Sequence, residues 1–228
     1  MLEVVILCGG YGTRMGAVTG RVPKPMVRVG DQPLLKHVME GFATQGCTRF
    51  ILCVGHLGHI IREWAQGLPW DVLCVDTGQD TLTGGRLLRV RDRLSGPCFM
   101  TYGDGVADID LQRLLDTHRD GGRLATVSAM RPRSRFGVVD IADGQVTRFR
   151  EKPLMEQRVS GGYFVFEPGA FEVMDDGALE QGALGRLARQ GQLTAYAHDG
   201  FWFSVDTPRD LAEINAMLDE GEAPWRRW

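Results

Sequence analysis

A chain of 228 residues with 43% hydrophobic residues is long enough for one sizeable α/β domain around an ordinary buried core. A formal net charge of −3 excludes the broad basic surface that a nucleic acid or an anionic membrane demands, so any anion site has to be locally basic. The five cysteines are odd in number, lack zinc-pair spacing and sit mostly in apolar runs, which predicts reduced thiols in a cytoplasmic protein with no leader and no membrane span.

The first predicted element is a strand through Val4-Val5-Ile6-Leu7, running into Cys8-Gly9-Gly10-Tyr11-Gly12-Thr13-Arg14. Three glycines within four positions let backbone N–H groups converge on an anion with no Cβ in the way. Arg14 adds a guanidinium fork, and Lys24, between Pro23 and Pro25, adds a point charge on a stiffened loop. Together they suit a nucleoside triphosphate. The phosphate loop of ATPases is excluded because Thr13-Arg14 stands where Lys-Ser or Lys-Thr would follow the last glycine. A dinucleotide fingerprint is excluded because Met15 replaces its third glycine, and the acid at Asp31 lies in a predicted turn.

Apolar residues at helical spacing predict a helix over 33–42, ending near Gly46, and a buried strand over 50–54. Strand, helix, strand in that order predicts a parallel sheet with a right-handed crossover. A second helix over 57–66 leads through Pro69 to a strand over 72–75. His56 and His59 have no third ligand nearby and read as surface residues at a helix start. The polar, glycine-rich loop 77–86 precedes a helix continuing over 87–94, whose Arg89, Arg91 and Arg93 read as solvated. A strand over 98–102 ends at Gly103-Asp104-Gly105, and ligands of open parallel sheets collect beyond that edge, which places Asp104 to meet a metal bound to phosphates. Asp108 and Asp110 introduce a helix over 111–120.

In the second half, strands are predicted over 124–130 and 136–141, with a turn over 142–145 leading into a strand over 146–150. Glu151-Lys152-Pro153 follows, read from the residues alone as a surface ion pair. A glycine pair at Gly161-Gly162 enters a strand over 160–166, where a substrate can approach the backbone. Helices are predicted over 171–175 and 178–190, then a strand over 193–197. The apolar run 201–205 brings Asp206 to its end, and Pro208 opens a last helix through 220. Asp206 could serve a metal or cap that helix, with Thr207 as the other candidate cap. The tail Trp225-Arg226-Arg227-Trp228 is predicted to pack on the body or on a neighbouring subunit.

The glycine loop with Arg14 and Lys24-Pro25-Met26, together with Thr83-Gly84-Gly85-Arg86, Tyr102-Gly103-Asp104-Gly105, Glu151-Lys152-Pro153 and Asp206-Thr207, resembles the sugar-phosphate nucleotidyltransferase family. Within it the chain is most similar to the glucose-1-phosphate cytidylyltransferases, over most of its length. The resemblance implies a single-domain, Rossmann-like α/β fold of GT-A type: three αβα layers, a mixed, mostly parallel central sheet and a small β-rich substrate lobe. It implies a nucleotide-binding half over 1–123 and a sugar-phosphate half over 124–228. The nucleotide contacts it implies are Leu7, Gly9, Gly10, Gly12, Thr13, Arg14, Lys24, Thr83, Gly84, Arg86, Tyr102 and Gly103, with Arg86 near the base. Lys152, Gly162 and Glu180 are implied for the sugar phosphate, Asp104 and Asp206 for Mg²⁺, and Arg14, Lys24 and Lys152 for catalysis.

The expected reaction is attack of an already ionised phosphate oxygen on the α-phosphorus of a triphosphate, which needs no side-chain base. Expected partners are the nucleoside triphosphate and a sugar phosphate, in a homo-oligomer. The chain departs from its likeness between Gln66 and Val72, where it is markedly shorter, at Ser160 before Gly-Gly, and over Leu179-Glu180-Gln181-Gly182-Ala183-Leu184, which lacks the tryptophan and proline usual there. These changes fall on the acceptor side. Transfer from dTTP or GTP, or a non-catalytic regulatory copy of the fold, are the alternatives.

Overall fold

The computed structural model, which describes residues 2–226, gathers these elements around one seven-stranded sheet. β1 (Glu3–Leu7) leads through 3-10 segments at Thr13–Thr19 and Lys24–Met26 to the ribbon β2 (Arg28–Val29) and β3 (Gln32–Pro33), then α1 (Leu34–Ala43), β4 (Arg49–Val54), α2 (Gly58–Ala65) and β5 (Asp71–Asp76). Next come α3 (Thr83–Leu88), β6 (Cys98–Tyr102), β7 (Gly105–Ala107), α4 (Leu111–Gly121), β8 (Ala125–Met130) and the hairpin β9 (Val138–Ala142) with β10 (Gln145–Arg150). β11 (Val159–Phe166), α5 (Ala183–Arg189), β12 (Leu193–His198), β13 (Trp202–Ser204) and α6 (Pro208–Asp219) complete the chain.

The strand order is β12-β8-β11-β6-β1-β4-β5. Only β11 runs antiparallel to its neighbours in this sheet, β6 and β8; the remaining pairs are parallel. Successive strand residues point to opposite faces. Val4 and Ile6 accordingly join α1, α2, α4 and α6 in one core, while Val5 and Leu7 join α3, α5 and Phe171 in the other. The result is the expected mixed, mostly parallel sheet between two helical layers. No helix among the described residues is long and apolar enough to cross a membrane.

Three predicted helices are corrected. α3 begins at Thr83 rather than near 87, and the region that follows holds only a 3-10 turn at Arg91–Arg93. Instead of a helix over 171–175 there is a 3-10 turn at Pro168–Val173, and α5 starts at Ala183, not 178. The cause is tertiary. The Gly177 carbonyl accepts from Gly84 N at 2.9 Å and Leu179 N donates to Thr83 Oγ1 at 2.8 Å, so the 177–182 segment is used to hold the start of α3.

Caps follow the expected chemistry. Asp110 accepts from Arg113 N ahead of α4, and Thr207 and Asp210 form a capping box on α6, each cap worth about 1 kcal/mol. Trp225 is buried, stacks on Phe201 at 5.4 Å between centroids and donates Nε1 to His37 Nδ1 at 3.3 Å. The tail thus packs on the body through Trp225, while Arg226 is exposed; Arg227 and Trp228 lie outside the described residues.

Candidate active site

A cleft of about 460 Å³ opens beyond the C-terminal ends of β1 and β6, the edge where loops of a parallel sheet splay apart. Leu7, Gly9, Gly10, Gly12, Thr13 and Arg14 form one wall, and Lys24, Tyr102, Gly103 and Asp104 lie beside them. Thr83, Arg86 and Glu180 face them from α3 and the 177–182 segment. Gly12 adopts a left-handed φ of 65°, a conformation that favours glycine.

The charged centre is assembled by a strand pair that neither sequence half could announce alone. β7 and β13 pair antiparallel with Gly105 opposite Ser204, and Val205 N donates to the Asp104 carbonyl at 2.9 Å. Asp104, just before β7, and Asp206, just after β13, are therefore brought to one end of the ribbon. Lys24, on the turn stiffened by its prolines, reaches both: its Nζ lies 2.7 Å from Asp104 Oδ2 and 2.8 Å from Asp206 Oδ1. Arg14 Nη2 is 3.0 Å from the same Asp206 oxygen.

Lys24 is only 7% exposed, whereas the Arg14 side chain is 72% exposed and joins the centre from solvent. Burial would raise the Asp206 pKa, but the Lys24 hydrogen bond and charge, the Arg14 charge and Ser204 outweigh it and hold the carboxyl below its usual range. The two acids are thus already arranged around a positive charge. Among the described residues no group of three or more His, Cys, Asp or Glu converges, so there is no all-protein cage. Two carboxylates aimed at one cationic point, open to a cleft, fit a hard divalent ion that completes its shell with water and phosphate oxygens.

Arg86 is not placed as expected. Arg86 borders the cleft, but the residue is only 4% exposed, and the reading of it as a base contact needs free donors where its terminal nitrogens are already engaged. Nη1 donates to Thr77 Oγ1 at 2.7 Å, Gly78 O at 2.9 Å and Val54 O at 3.3 Å. Nη2 donates to Gly9 O at 2.9 Å and Gln79 O at 3.2 Å. One side chain thereby ties the glycine loop to the end of β4 and to the loop after β5. A Cβ on Gly9 would collide with this guanidinium, which is a second reason for glycine there.

On the acceptor side, Glu180 bridges two elements by accepting from Thr83 Oγ1 at 2.9 Å and from the Tyr102 hydroxyl. Burial, and then the Glu180 charge, push the Tyr102 pKa upward, so the hydroxyl stays a donor. Lys152 does not reach the cleft: it is exposed, with a left-handed φ of 43°, just past β10. Gly162 is buried behind Tyr102, where a Cβ would meet the ring at 2.7 Å, and Gly84 is buried against the Asp175 and Gly177 carbonyls. Neither lines the cleft. The cleft also contains Tyr11 and Asp80, joined by a 2.6 Å hydrogen bond; their only sequence signal was membership of the two polar, glycine-rich loops.

With this geometry in place, comparison with known proteins is informative. The Nucleotidyl transferase family matches residues 3–221. Glucose-1-phosphate cytidylyltransferase from Salmonella typhimurium is 38% identical over 256 aligned positions covering all of both chains, and a probable glucose-1-phosphate cytidylyltransferase from Bacillus subtilis is 36% identical over 254, again covering both completely. A mannose-1-phosphate guanyltransferase from Xenopus laevis is 29% identical across 92% of this chain and 62% of its own. The crystal structure of HddC from Yersinia pseudotuberculosis complexed with GMP-PN superposes with a TM-score of 0.76 over 96% of this chain and all of that one, at 22% identity.

Proposed function

The chain belongs to the nucleotidyl transferase family, and we propose that it transfers a cytidylyl group from CTP to glucose 1-phosphate or a closely related sugar 1-phosphate, releasing pyrophosphate, with Mg²⁺ as its metal. The observation that carries this reading is the convergence of Asp104 and Asp206 on the Lys24 ammonium beside the glycine loop. The choice of CTP and glucose 1-phosphate is supported by full-length likeness to cytidylyltransferases that are named for glucose 1-phosphate.

The chain's residues divide the work by position. The Gly9–Gly12 loop presents backbone N–H groups to the triphosphate, Arg14 swings from Asp206 to phosphate oxygens, and Lys24 supplies fixed positive charge at the wall of the cleft. Asp104 and Asp206 would hold the metal, which when bound offsets the charge that builds on departing pyrophosphate. Glu180, held between Thr83 and Tyr102, is the acceptor for a sugar hydroxyl. The attacking phosphate oxygen is ionised at neutral pH, so orientation replaces proton abstraction.

A coupled pyrophosphate-release assay over the four triphosphates and a panel of sugar 1-phosphates tests the assignment. CTP with glucose 1-phosphate is expected to give a kcat/KM at least about 10-fold above any other nucleotide, a discrimination of ~1.4 kcal/mol. Preference for dTTP or GTP would overturn the nucleotide assignment, and no turnover with any pair would overturn the catalytic one.

Arg86 offers a sharper test of how the base is selected. Since its donors hold loop carbonyls, Arg86→Lys should raise KM several-fold for every triphosphate while leaving the ratio of kcat/KM values between CTP and the other nucleotides unchanged. A base-reading arginine predicts the opposite, a selective loss of CTP preference.

A further inference from the structure

Outside segment 136–159, the exposed large hydrophobic side chains among the described residues are Tyr11, at 40%, and Leu82, at 54%. Both line the cleft, and so does Asp80. Apolar surface left open in a polar cleft suits the flat apolar part of a ligand, which in a nucleotide is the base. Asp80 follows β5, three strands from the β6 end that carries Asp104, or ~14 Å at the spacing of neighbouring strands. That span matches a nucleotide laid from its metal-bound phosphate to the outer edge of its base. A carboxylate repels phosphate, so Asp80 can serve only a part of the ligand that offers donors. Its loop is pinned from the protein side. Arg86 donates to the Gly78 and Gln79 carbonyls at 2.9 and 3.2 Å, and Arg89 to the Thr77 carbonyl at 2.6 Å and to the Thr81 hydroxyl. From the glycine loop, the Tyr11 hydroxyl donates to Asp80 Oδ1 at 2.6 Å, while its ring rests on His56 at 5.0 Å between centroids. The bond to Asp80 raises the Tyr11 pKa, so the hydroxyl stays a donor.

On the cytidylyl-transfer reading given above, we infer that Asp80 selects the nucleotide by accepting a hydrogen bond from the 4-amino group of cytosine, with Tyr11 as the residue that positions it. Cytosine carries an amino donor at that ring position, whereas thymine and uracil carry the O4 carbonyl and guanine has its O6 carbonyl at the equivalent edge. An ionised carboxylate accepts and never donates. It gains a charge-assisted bond with the amino group and repels each carbonyl, so one side chain favours CTP and also rejects dTTP, UTP and GTP. Adenine shares an amino group at this edge, but its second ring places that group farther from the ribose. Arg86 does not supply the discrimination, because its terminal nitrogens are taken by Thr77 and by loop carbonyls. Its part is to hold the loop from which Asp80 projects.

Steady-state kinetics with CTP, UTP, dTTP, GTP and an analogue of CTP bearing hydrogen in place of the 4-amino group tests this, in the wild type, Asp80→Asn and Tyr11→Phe. The wild type is expected to use CTP with a kcat/KM at least about 10-fold above that for the analogue, the usual effect of losing a bond to a charged group. Asp80→Asn adds a donor where only acceptors stood, so the ratio of kcat/KM for CTP to that for UTP should fall at least about 10-fold, with KM for the sugar 1-phosphate unchanged. Tyr11→Phe keeps the ring on His56 and should lower the same ratio by a smaller factor. A pair that merely tied the two loops together would raise KM for every triphosphate alike. An unchanged ratio in Asp80→Asn therefore overturns the proposal, and in Tyr11→Phe it removes the positioning role. The analogue comparison needs only the wild type, so it decides even if a variant is unstable: a wild type that prefers CTP yet uses the analogue equally well overturns Asp80 as the reader and leaves cytidylyl transfer standing. A wild type that prefers UTP, dTTP or GTP fails the cytidylyl reading itself, and this assignment falls with it.

Discussion

Asp104→Asn is expected to lower kcat by about 100-fold or more, equivalent to about 3 kcal/mol of barrier, while the protein stays folded. The substitution keeps the shape of the side chain and removes its charge. Asp104 is the more open of the two acids, with 31% of its side chain exposed against 16% for Asp206, so the fold relies on it less. Lys24 keeps its bond to Asp206 and is not left unpaired. Steady-state kinetics with saturating CTP and sugar phosphate, read beside the thermal melt, checks both halves of the expectation. Wild-type turnover in this variant would remove Asp104 from the metal site and with it the proposed reaction geometry.

Lys24→Met should be the most damaging single change, because it removes charge from catalysis and also leaves two carboxylates facing each other. Taking away one partner of a largely buried charge set costs several kcal/mol. Here Arg14 still faces Asp206 and Asp104 is partly solvated, which brings the expected cost to about 3 kcal/mol, a fall in Tm of roughly 6–12 °C for a chain of this size. The structure makes a further demand on this variant. If the two acids form a cation site, millimolar Mg²⁺ should restore much of the lost Tm in Lys24→Met and raise the wild-type Tm far less, since in the wild type an ammonium already neutralises the pair. Equal shifts in both proteins would mean that the acids do not share an ion.

The fold was largely legible because its information is local. A continuous β-branched run, apolar on both faces, makes β1, the spacing of Leu34, Leu35, Val38, Met39 and Phe42 makes an amphipathic α1, and their alternation admits few topologies. Where the pattern misled, a distant segment had intervened. Residues 178–182 carry helix-compatible side chains, but Leu179 N is engaged by the Thr83 hydroxyl and the adjoining Gly177 carbonyl by Gly84 N, and α5 starts only after them. Arg86 misled for the same reason. An arginine after two glycines looks available, and only the surrounding carbonyls of Gly9, Val54, Gly78 and Gln79 reveal that its terminal nitrogens are engaged.

By itself the amino-acid sequence determined the strand-helix-strand α/β plan, the glycine-rich loop carrying Arg14 after the first strand and the presence of an acid after each of two apolar runs, since each of these rests on neighbours a few residues apart. Tertiary structure alone decided that Asp104 and Asp206, 102 positions apart, meet on Lys24 and that Lys152 stays outside the cleft. The physical reason is register. Pairing β7 with β13 fixes which side chains share a face only once two separated strands align, and a shift of one residue reverses every one of them.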